Sequence, residues 1–357
     1  MLCDPIFAIL DLQSSILARP CVSAVDSQCQ GQHMSRFAIG VDLGGTNLRV
    51  AAINENGGLF DQLNLLTEVE KGREDVVDRL CNGILQLVQR WKNVYQLAGI
   101  GVGIPGIIKM KEGILVASPN LPGWENFNIR AQIAKRLNSP FYLENDANAA
   151  ALGEKWIGSG RACDHLCFLT MGTGIGGGLI LNGKIWHGVA GMAAELGHVT
   201  IYPNGRLCNC GNYGCLEAYA AASAVVKAAL EILESGKASA GLQTAASAGT
   251  KLTSAIIYRL AKEGDASSIC VFEEVGRALG LAIANFINIF DIDTFVLGGG
   301  AVDAWDAFEK SMFEEVPKRS YIYRNDPRKI LKSHLGNQAG IFGAAYLAFQ
   351  SYRSENY

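Results

Sequence analysis

The chain has 357 residues, 49% of them hydrophobic and 18% charged, with a net charge of −3. This is the composition of a folded globular protein long enough for two domains. A nearly neutral balance speaks against a protein built to grip nucleic acid, which needs a basic footprint, and no apolar run approaches the roughly 20 residues of a membrane span.

Residues 1–33 differ from the rest of the chain. They lack a basic leading segment, and Asp4 and Asp11 bracket their one short apolar run, a poor match to a signal peptide. Met34 stands directly before "SRFAIGVD", where the patterned sequence begins. It is the expected functional start, with the upstream part a translation-start artefact or a loose tail; a packing arm is the alternative. "FAIGVD" (37–42) then predicts a buried strand, "LGGTN" a tight loop, and "LRVAAINENGGLFDQLNLLT" two strands joined through an Asn-Gly turn. Val76, Leu80, Ile84, Leu87 and Trp91 recur at helical spacing over 74–91. Next come a strand that ends at Pro105, a helix around 128–138, the strand "PFYLEND" and a helix from "ANAAALGEKW".

The opening pattern returns at 165–186, "HLCFLTMGTGIGGGLILNGKIW": an apolar strand, a glycine bend and a further strand. Two such units roughly 130 residues apart point to duplicated halves rather than one continuously wound sheet. Residues 235–268 are rich in Ala and Ser, with helical stretches, and read as a surface insertion. A third glycine loop, "FVLGGGAV" (295–302), precedes a helix from about Ala304, and "NQAGIFGAAYLAFQ" reads as a final buried helix.

A glycine loop between apolar strands frees backbone N–H groups to face an anion. Three of them, at Gly44 and Gly45, at Gly172 and Gly174, and at Gly298, Gly299 and Gly300, suggest a polyphosphate held from several sides. No GxxxxGK[ST] occurs, and the first loop runs on into a strand, so neither a P-loop nor a dinucleotide fingerprint fits. Asp42 beside the first loop is unfavourable next to phosphate unless Mg²⁺ lies between; the alternative is a cap on the Gly44–Gly45 turn. Thr46 and Asn47 add polar donors there.

Ten cysteines in so long and apolar a chain are not needed as staples. Cys81, Cys163, Cys167 and Cys270 read as small core hydrophobes. "RLCNCGNYGCLEAY" (206–219) is different: Cys208, Cys210 and Cys215 lie in a polar glycine turn, ten residues after His198. Three thiols and one imidazole suit a closed tetrahedral structural Zn²⁺ site. Such a knot would hold Glu195 and Glu217 at fixed geometry, where several acceptors suit a polyol; the alternative is that both acids neutralise surface cations. Asp146 in "ENDANAA" comes after a strand and opens a helix. It serves either as a base toward an attacking hydroxyl or as an ordinary helix cap. Asn145 can bond a neighbouring hydroxyl, and Asn120 sits on the Pro-rich loop "ASPNLPGW".

Together these stretches resemble the ROK family (repressor, open reading frame, kinase), and within it the bacterial glucokinases, over about residues 36–350. "DLGGTN" (42–47) and "MGTGIGGG" (171–178) resemble its two phosphate loops, with Thr173 in the second, and "LGGGAV" (297–302) its adenosine loop. "ELGH" (195–198) and "CNCGNYGCLE" (208–217) match its sugar and zinc motif. The resemblance implies an actin-like ATPase fold, hexokinase-type and ribonuclease H-like, with two α/β domains around a cleft. The expected division is an extension at 1–35, a smaller domain at 36–145, a larger one at 146–335 carrying the zinc motif, and a helix at 336–357 returning to the N-terminal domain. It implies ATP- and Mg²⁺-dependent phosphorylation of a hexose at its 6-hydroxyl, with Asp146 as base and Asn120, Asn145, Asp146, Glu195, His198 and Glu217 around the sugar. It also implies zinc on His198, Cys208, Cys210 and Cys215 and a homodimer; with the charge and hydropathy above, a cytoplasmic location and no nucleic-acid or membrane partner are expected. The roughly 35 residues before the first loop are too few for the winged helix of the family's repressors. A kinase for another hexose or an amino sugar, and a sugar-responsive regulator, stand as alternatives.

Overall fold

The computed structural model describes residues 35–249 and 251–356; the expectations for 1–33 lie outside them. The first half contains β1 (Arg36–Leu43), β2 (Asn47–Asn54), β3 (Leu59–Leu66), α1 (Arg73–Trp91), β4 (Gln96–Ile104), the short strands β5 (Ile107–Lys109), β6 (Ile114–Ala117) and β7 (Phe127–Asn128), α2 (Ile129–Ala134), β8 (Phe141–Asn145) and α3 (Asp146–Ile157). The second contains β9 (Leu166–Met171), β10 (Ile175–Leu181), β11 (Lys184–Ile185), α4 (Glu217–Ala220), α5 (Ala222–Glu234), α6 (Ala240–Ser247), α7 (Ser254–Lys262), α8 (Ala266–Phe290), β12 (Thr294–Gly298), α9 (Trp305–Arg319), α10 (Tyr321–Asn325), β13 (Lys329–Lys332) and α11 (Ala339–Asn356).

The duplication expected from the repeated hairpins is present in the strand order. One sheet runs β3-β2-β1-β4-β8 and the other β11-β10-β9-β12-β13. In each, the first long strand pairs antiparallel with the strand after its glycine bend and parallel with the next. Period-two alternation sorts β1 cleanly. Phe37, Ile39 and Val41 join the cluster under α1, while Ala38 faces α11. On the α11 side the strands carry glycine where the helix backbone comes closest. A Cβ on Gly40 would lie 2.0 Å from the Ile341 carbonyl oxygen, and one on Gly101 1.8 Å from that of Ala344. Burial of Ile341, Phe342 and Phe349 holds the helix there, at about 1.5–3 kcal/mol for each large side chain.

The two halves exchange helices. Helix α3 leaves the first sheet and packs on β9 and β10 of the second, while α11 leaves the second sheet and packs on β1 and β4 of the first. The two helices cross at small residues: a Cβ on Gly343 would meet the Ala149 carbonyl at 1.5 Å, and one on Gly153 that of Ala339 at 2.2 Å. Helix α3 forms because Asn145 caps it, its amide oxygen accepting from Ala147 N at 2.9 Å and Asn148 N at 3.1 Å, ahead of an alanine run of high helix propensity. Glu154 of α3 is fully buried and satisfied by the backbone N–H groups of Ser159 (2.7 Å) and Leu335 (3.0 Å) and the Ser333 hydroxyl.

Two expectations are corrected. Residues 235–268 are not a surface insertion: Leu242, Leu252, Ile257 and Leu260 are buried in the main cluster with α5 and α8. The helical stretches expected there are present as α6 and α7; the Ala/Ser content disguised only that their few large side chains share a buried face. Of the four cysteines expected in the core, Cys81 and Cys167 are buried, Cys163 is half-buried against the Thr294 hydroxyl, and Cys270 is exposed on α8. Among the described residues no helix is long and apolar enough to cross a membrane.

Candidate functional site

Parallel strands bring their carboxyl ends to one edge of each sheet, and most of the candidate residues sit on those edges. In the first sheet the register sets Asp42 beside Gly103 and Ile104 beside Asn145. In the second it sets Gly298 beside Thr170, just before the bend at 172–174. Ligands of open α/β sheets gather at such edges.

The first bend is closed by Gly44 N–H donating to Asn47 O at 2.8 Å. Thr67, fully buried, clamps it: its hydroxyl donates to Gly44 O at 2.7 Å and its N–H to Thr46 O at 2.9 Å. Thr46 and Asn47 are exposed at the tip. A Cβ on Gly45 would lie 2.7 Å from Asn120 O, so only glycine lets the bend lie against the Pro-rich loop. The Asp42 carboxylate meets Arg49, its cross-strand partner, at 3.1 Å. Burial pushes the Asp42 pKa up, and the charge and hydrogen bond of Arg49 offset part of that rise. Neither Thr67 nor Arg49 was singled out from sequence; the two-residue alternation of β2 opposite β1 was the available signal for Arg49.

The second bend is held from below. Gly172 N–H donates to Gly174 O at 2.9 Å, Gly172 O accepts from Ala222 N at 2.9 Å, and Thr173 O accepts from the Ser223 hydroxyl at 2.7 Å, so the start of α5 abuts the bend. Glu217 accepts from Ile175 N at 2.9 Å, and a Cβ on Gly174 would lie 2.4 Å from that same oxygen. In the third loop Gly299 has a φ of 83° and a virtual Cβ 2.4 Å from Met171 O. Glycine is required there for both reasons, and the second and third loops are thereby adjacent. Beside Gly300 lies a cavity of about 130 Å³ with Met171, Tyr258, Phe272 and Val275 in its wall. Tyr258 belongs to α7, inside the stretch read as an insertion, which is why the wall was missed.

Asp146 is the first helical residue of α3, and Asn145, not Asp146, is the cap. Asn145 spends its amide oxygen on that cap and donates from Nδ2 to Gly106 O at 3.1 Å, which leaves one N–H for a ligand. The pKa of Asp146 is pushed up to about 6, chiefly by burial, then by the Asp42 charge and to a smaller extent by Glu195, against a lowering contact from Ala147 N–H. Glu195 is also raised, by desolvation first, with His198 opposing and Glu217 reinforcing. Asp146 thus senses the charges of Asp42 and Glu195, and Glu195 those of His198 and Glu217.

His198, Cys208, Cys210 and Cys215 converge, their ligand atoms all within 4.8 Å of one another. Turn bonds build the knot: Cys208 N to Asn212 O at 2.8 Å, Gly211 N to Cys208 O at 3.0 Å and Gly214 N to Arg206 O at 2.8 Å. Tetrahedral zinc, at its usual bond lengths to sulfur and imidazole nitrogen, would set S···S at about 3.8 Å and S···N at about 3.6 Å. Cys210 and Cys215 Sγ are 3.7 Å apart, and Cys208 Sγ is 3.6 Å from His198 Nδ1. The four residues fit that ion, with Nδ1 as the imidazole ligand. Glu217 stands between knot and second bend, one oxygen 3.6 Å from Cys208 Sγ and the other on Ile175 N–H.

The model of the ROK family matches residues 38–351. The chain belongs to the ROK family. A glucokinase of Thermotoga maritima is 39% identical over 309 residues, covering 86% of this chain and 95% of that protein. A xylose repressor of Caldicellulosiruptor bescii is 31% identical over 306 residues, covering 85% of this chain and 76% of that protein. Among solved structures, a ROK family glucokinase from Streptomyces griseus in complex with glucose and AMPPNP superposes with a TM-score of 0.72 at 29% identity, covering 88% of this chain and 99% of that one. The duplicated sheets with exchanged helices are therefore the actin-like ATPase fold of ROK sugar kinases.

Proposed function

We propose that this chain phosphorylates glucose at the 6-hydroxyl with ATP. That it is an ATP-dependent sugar kinase rests on ROK membership, on the glucokinase relatives at 34% identity and above and on the fold shared with a glucokinase bound to glucose and AMPPNP. Glucose as the preferred sugar, and the residue roles below, are the finer reading. The observation that carries it is the place of Asp146, a carboxylate at the junction where β8 of the first half becomes α3 against the second, with burial pushing its pKa up to about 6.

A base works best with a pKa near the working pH. Asp146 is ionised at neutral pH yet ready to accept the proton of the 6-hydroxyl as its oxygen attacks the γ-phosphorus; the bond to the β-phosphate oxygen breaks and ADP leaves. Asn120, Asn145, Glu195, Glu217 and the Nε2 edge of His198 hold the other hydroxyls. Glu217 offers only the lone pairs left over from Ile175 N–H. ATP and Mg²⁺ together supply the phosphoryl group and neutralise its developing charge, and Asp42 would hold the ion. Gly44 and Gly172 spend their N–H groups on the turns, so the N–H groups of Gly45, Thr46, Thr173 and Gly174 meet the phosphates. The cavity beside Gly300 takes the adenine. Zinc on His198, Cys208, Cys210 and Cys215 would supply a cross-link, with no open position for chemistry; its effect is to fix the tautomer of His198 and the position of Glu217. The two sheets act as two domains, 36–145 and 146–335, that close on the sugar in the cytoplasm.

A second reading, a sugar-responsive regulator, is favoured by the xylose-repressor relative. A coupled ADP-release assay over glucose, mannose, fructose, N-acetylglucosamine and N-acetylmannosamine separates the readings. Hexose-dependent ADP formation greatest with glucose supports the proposal. Preference for another sugar overturns the glucose assignment, and no ADP with any sugar overturns the kinase.

A further inference from the structure

Glu144 and His187 lie outside the roles assigned so far. Glu144 precedes Asn145 and Asp146 at the end of β8, and its side chain is only 2% exposed. One oxygen accepts from Asn145 N at 2.9 Å and from Asn148 Nδ2 at 3.0 Å; the other meets His187 Nε2 at 2.7 Å. A buried carboxylate is costly unless paired. Its partner across the two halves is a histidine, and the Glu144 hydrogen bond raises that histidine's pKa against the opposing effect of its own burial, favouring the charged form.

His187 begins a strap, 187–194, that leaves β11 and delivers Glu195. The strap is closed on itself by Ala193 N donating to His187 O at 3.1 Å. It touches the first half a second time at Gly191, where a Cβ would lie 3.0 Å from Met110 Cγ. At its end Ala194 holds a left-handed φ of 70°, costly for a residue with a Cβ. Glu195 then forms an inverse γ-turn (φ −70°, ψ 58°), with Leu196 N donating to Ala194 O at 2.7 Å. Such a backbone persists only where its surroundings over-determine it.

We propose that His187 is a positioning residue of the sugar site: by pairing with the buried Glu144 it fastens the 187–194 strap to the end of β8 and so sets Glu195 against Asn145 and Asp146. The hexose consequence rests on the sugar-kinase reading; the fastening does not. Removing His187 leaves Oε2 of the buried carboxylate without its partner and the strap loose. Removing the Glu144 charge as well relieves the first fault.

The test compares wild type, His187→Gln, Glu144→Gln and the double variant as full chains. In the kinase assay His187→Gln should raise KM for glucose about tenfold with KM for ATP within about twofold, and the double variant should regain part of that loss, the coupling expected of a buried pair. Unchanged KM for glucose in an active His187→Gln overturns the proposal, as does an equal rise in both KM values, the mark of a merely structural role. Amide hydrogen exchange of ligand-free protein is read in parallel. Exchange across 188–196 should quicken about tenfold in His187→Gln, and unchanged protection there overturns the fastening whether or not the chain phosphorylates sugar. If wild type forms no ADP with any sugar, the kinase reading fails while the exchange result still decides the strap. His187→Gln alone decides if Glu144→Gln does not fold.

Discussion

Replacing Asp146 with Asn should make the protein more stable while disabling it. Lifting a carboxyl from 3.8 to about 6 costs the ionised form about 3 kcal/mol, at about 1.4 kcal/mol per pH unit. Asp146 keeps partial solvent contact, so the realised cost is about 1–2 kcal/mol. A raised carboxyl pKa means that between 3.8 and about 6 the folded chain keeps a proton the unfolded chain has lost. The penalty is therefore absent below 3.8, about half developed at pH 5 and complete above about 6. Asn carries no charge, so Asp146→Asn should melt about 2–4 °C above wild type at pH 8 and by about half that margin at pH 5. Its turnover should fall by about 10²–10⁴-fold, with glucose binding retained by calorimetry. In wild type kcat/KM should rise about tenfold from pH 5 to pH 7 and then level. A stability gain equal at the two pH values, or near-normal turnover in the variant, would refute the reasoning.

The loops and the knot give two further expected outcomes. Cys210→Ala should lose bound zinc by elemental analysis, melt earlier and bind glucose at least about tenfold more weakly; full activity in a wild-type preparation containing no zinc would contradict the knot's role. Gly299→Ala forces a Cβ into a left-handed position 2.4 Å from the Met171 carbonyl, so it should destabilise by about 2 kcal/mol or more and raise KM for ATP while leaving KM for glucose unchanged. A rise confined to glucose would place the third loop at the wrong substrate.

What the sequence made legible was local. Glycine bends between apolar strands, the 3.6-residue stripe of α1 and the clustered thiols each report constraints that act within about twenty residues, and those elements stand where their patterns put them. Arg49, seven positions from Asp42, was within that same reach through the β1–β2 hairpin. The rest of what escaped is set by distant partners. Thr67 clamps a bend more than twenty positions away. The exchange of α3 and α11 between sheets has no local signature beyond the glycines at 40, 101, 153 and 343. The composition of α7 points to the surface, yet Ile257 and Leu260 bury and Tyr258 walls the cavity by Gly300. Asn145 is a different case: its cap on Ala147 and Asn148 is local, and the sequence leaves the cap to either Asp146 or Asn145 because both types suit it.

The most direct measurement is a crystal structure with glucose and AMPPNP bound. The account predicts an Asp146 carboxylate oxygen about 2.6–3.2 Å from the glucose 6-oxygen, with that oxygen aimed at the γ-phosphorus. Both ligands bound in a closed form with Asp146 beyond hydrogen-bond reach and another acid on the 6-hydroxyl would contradict it.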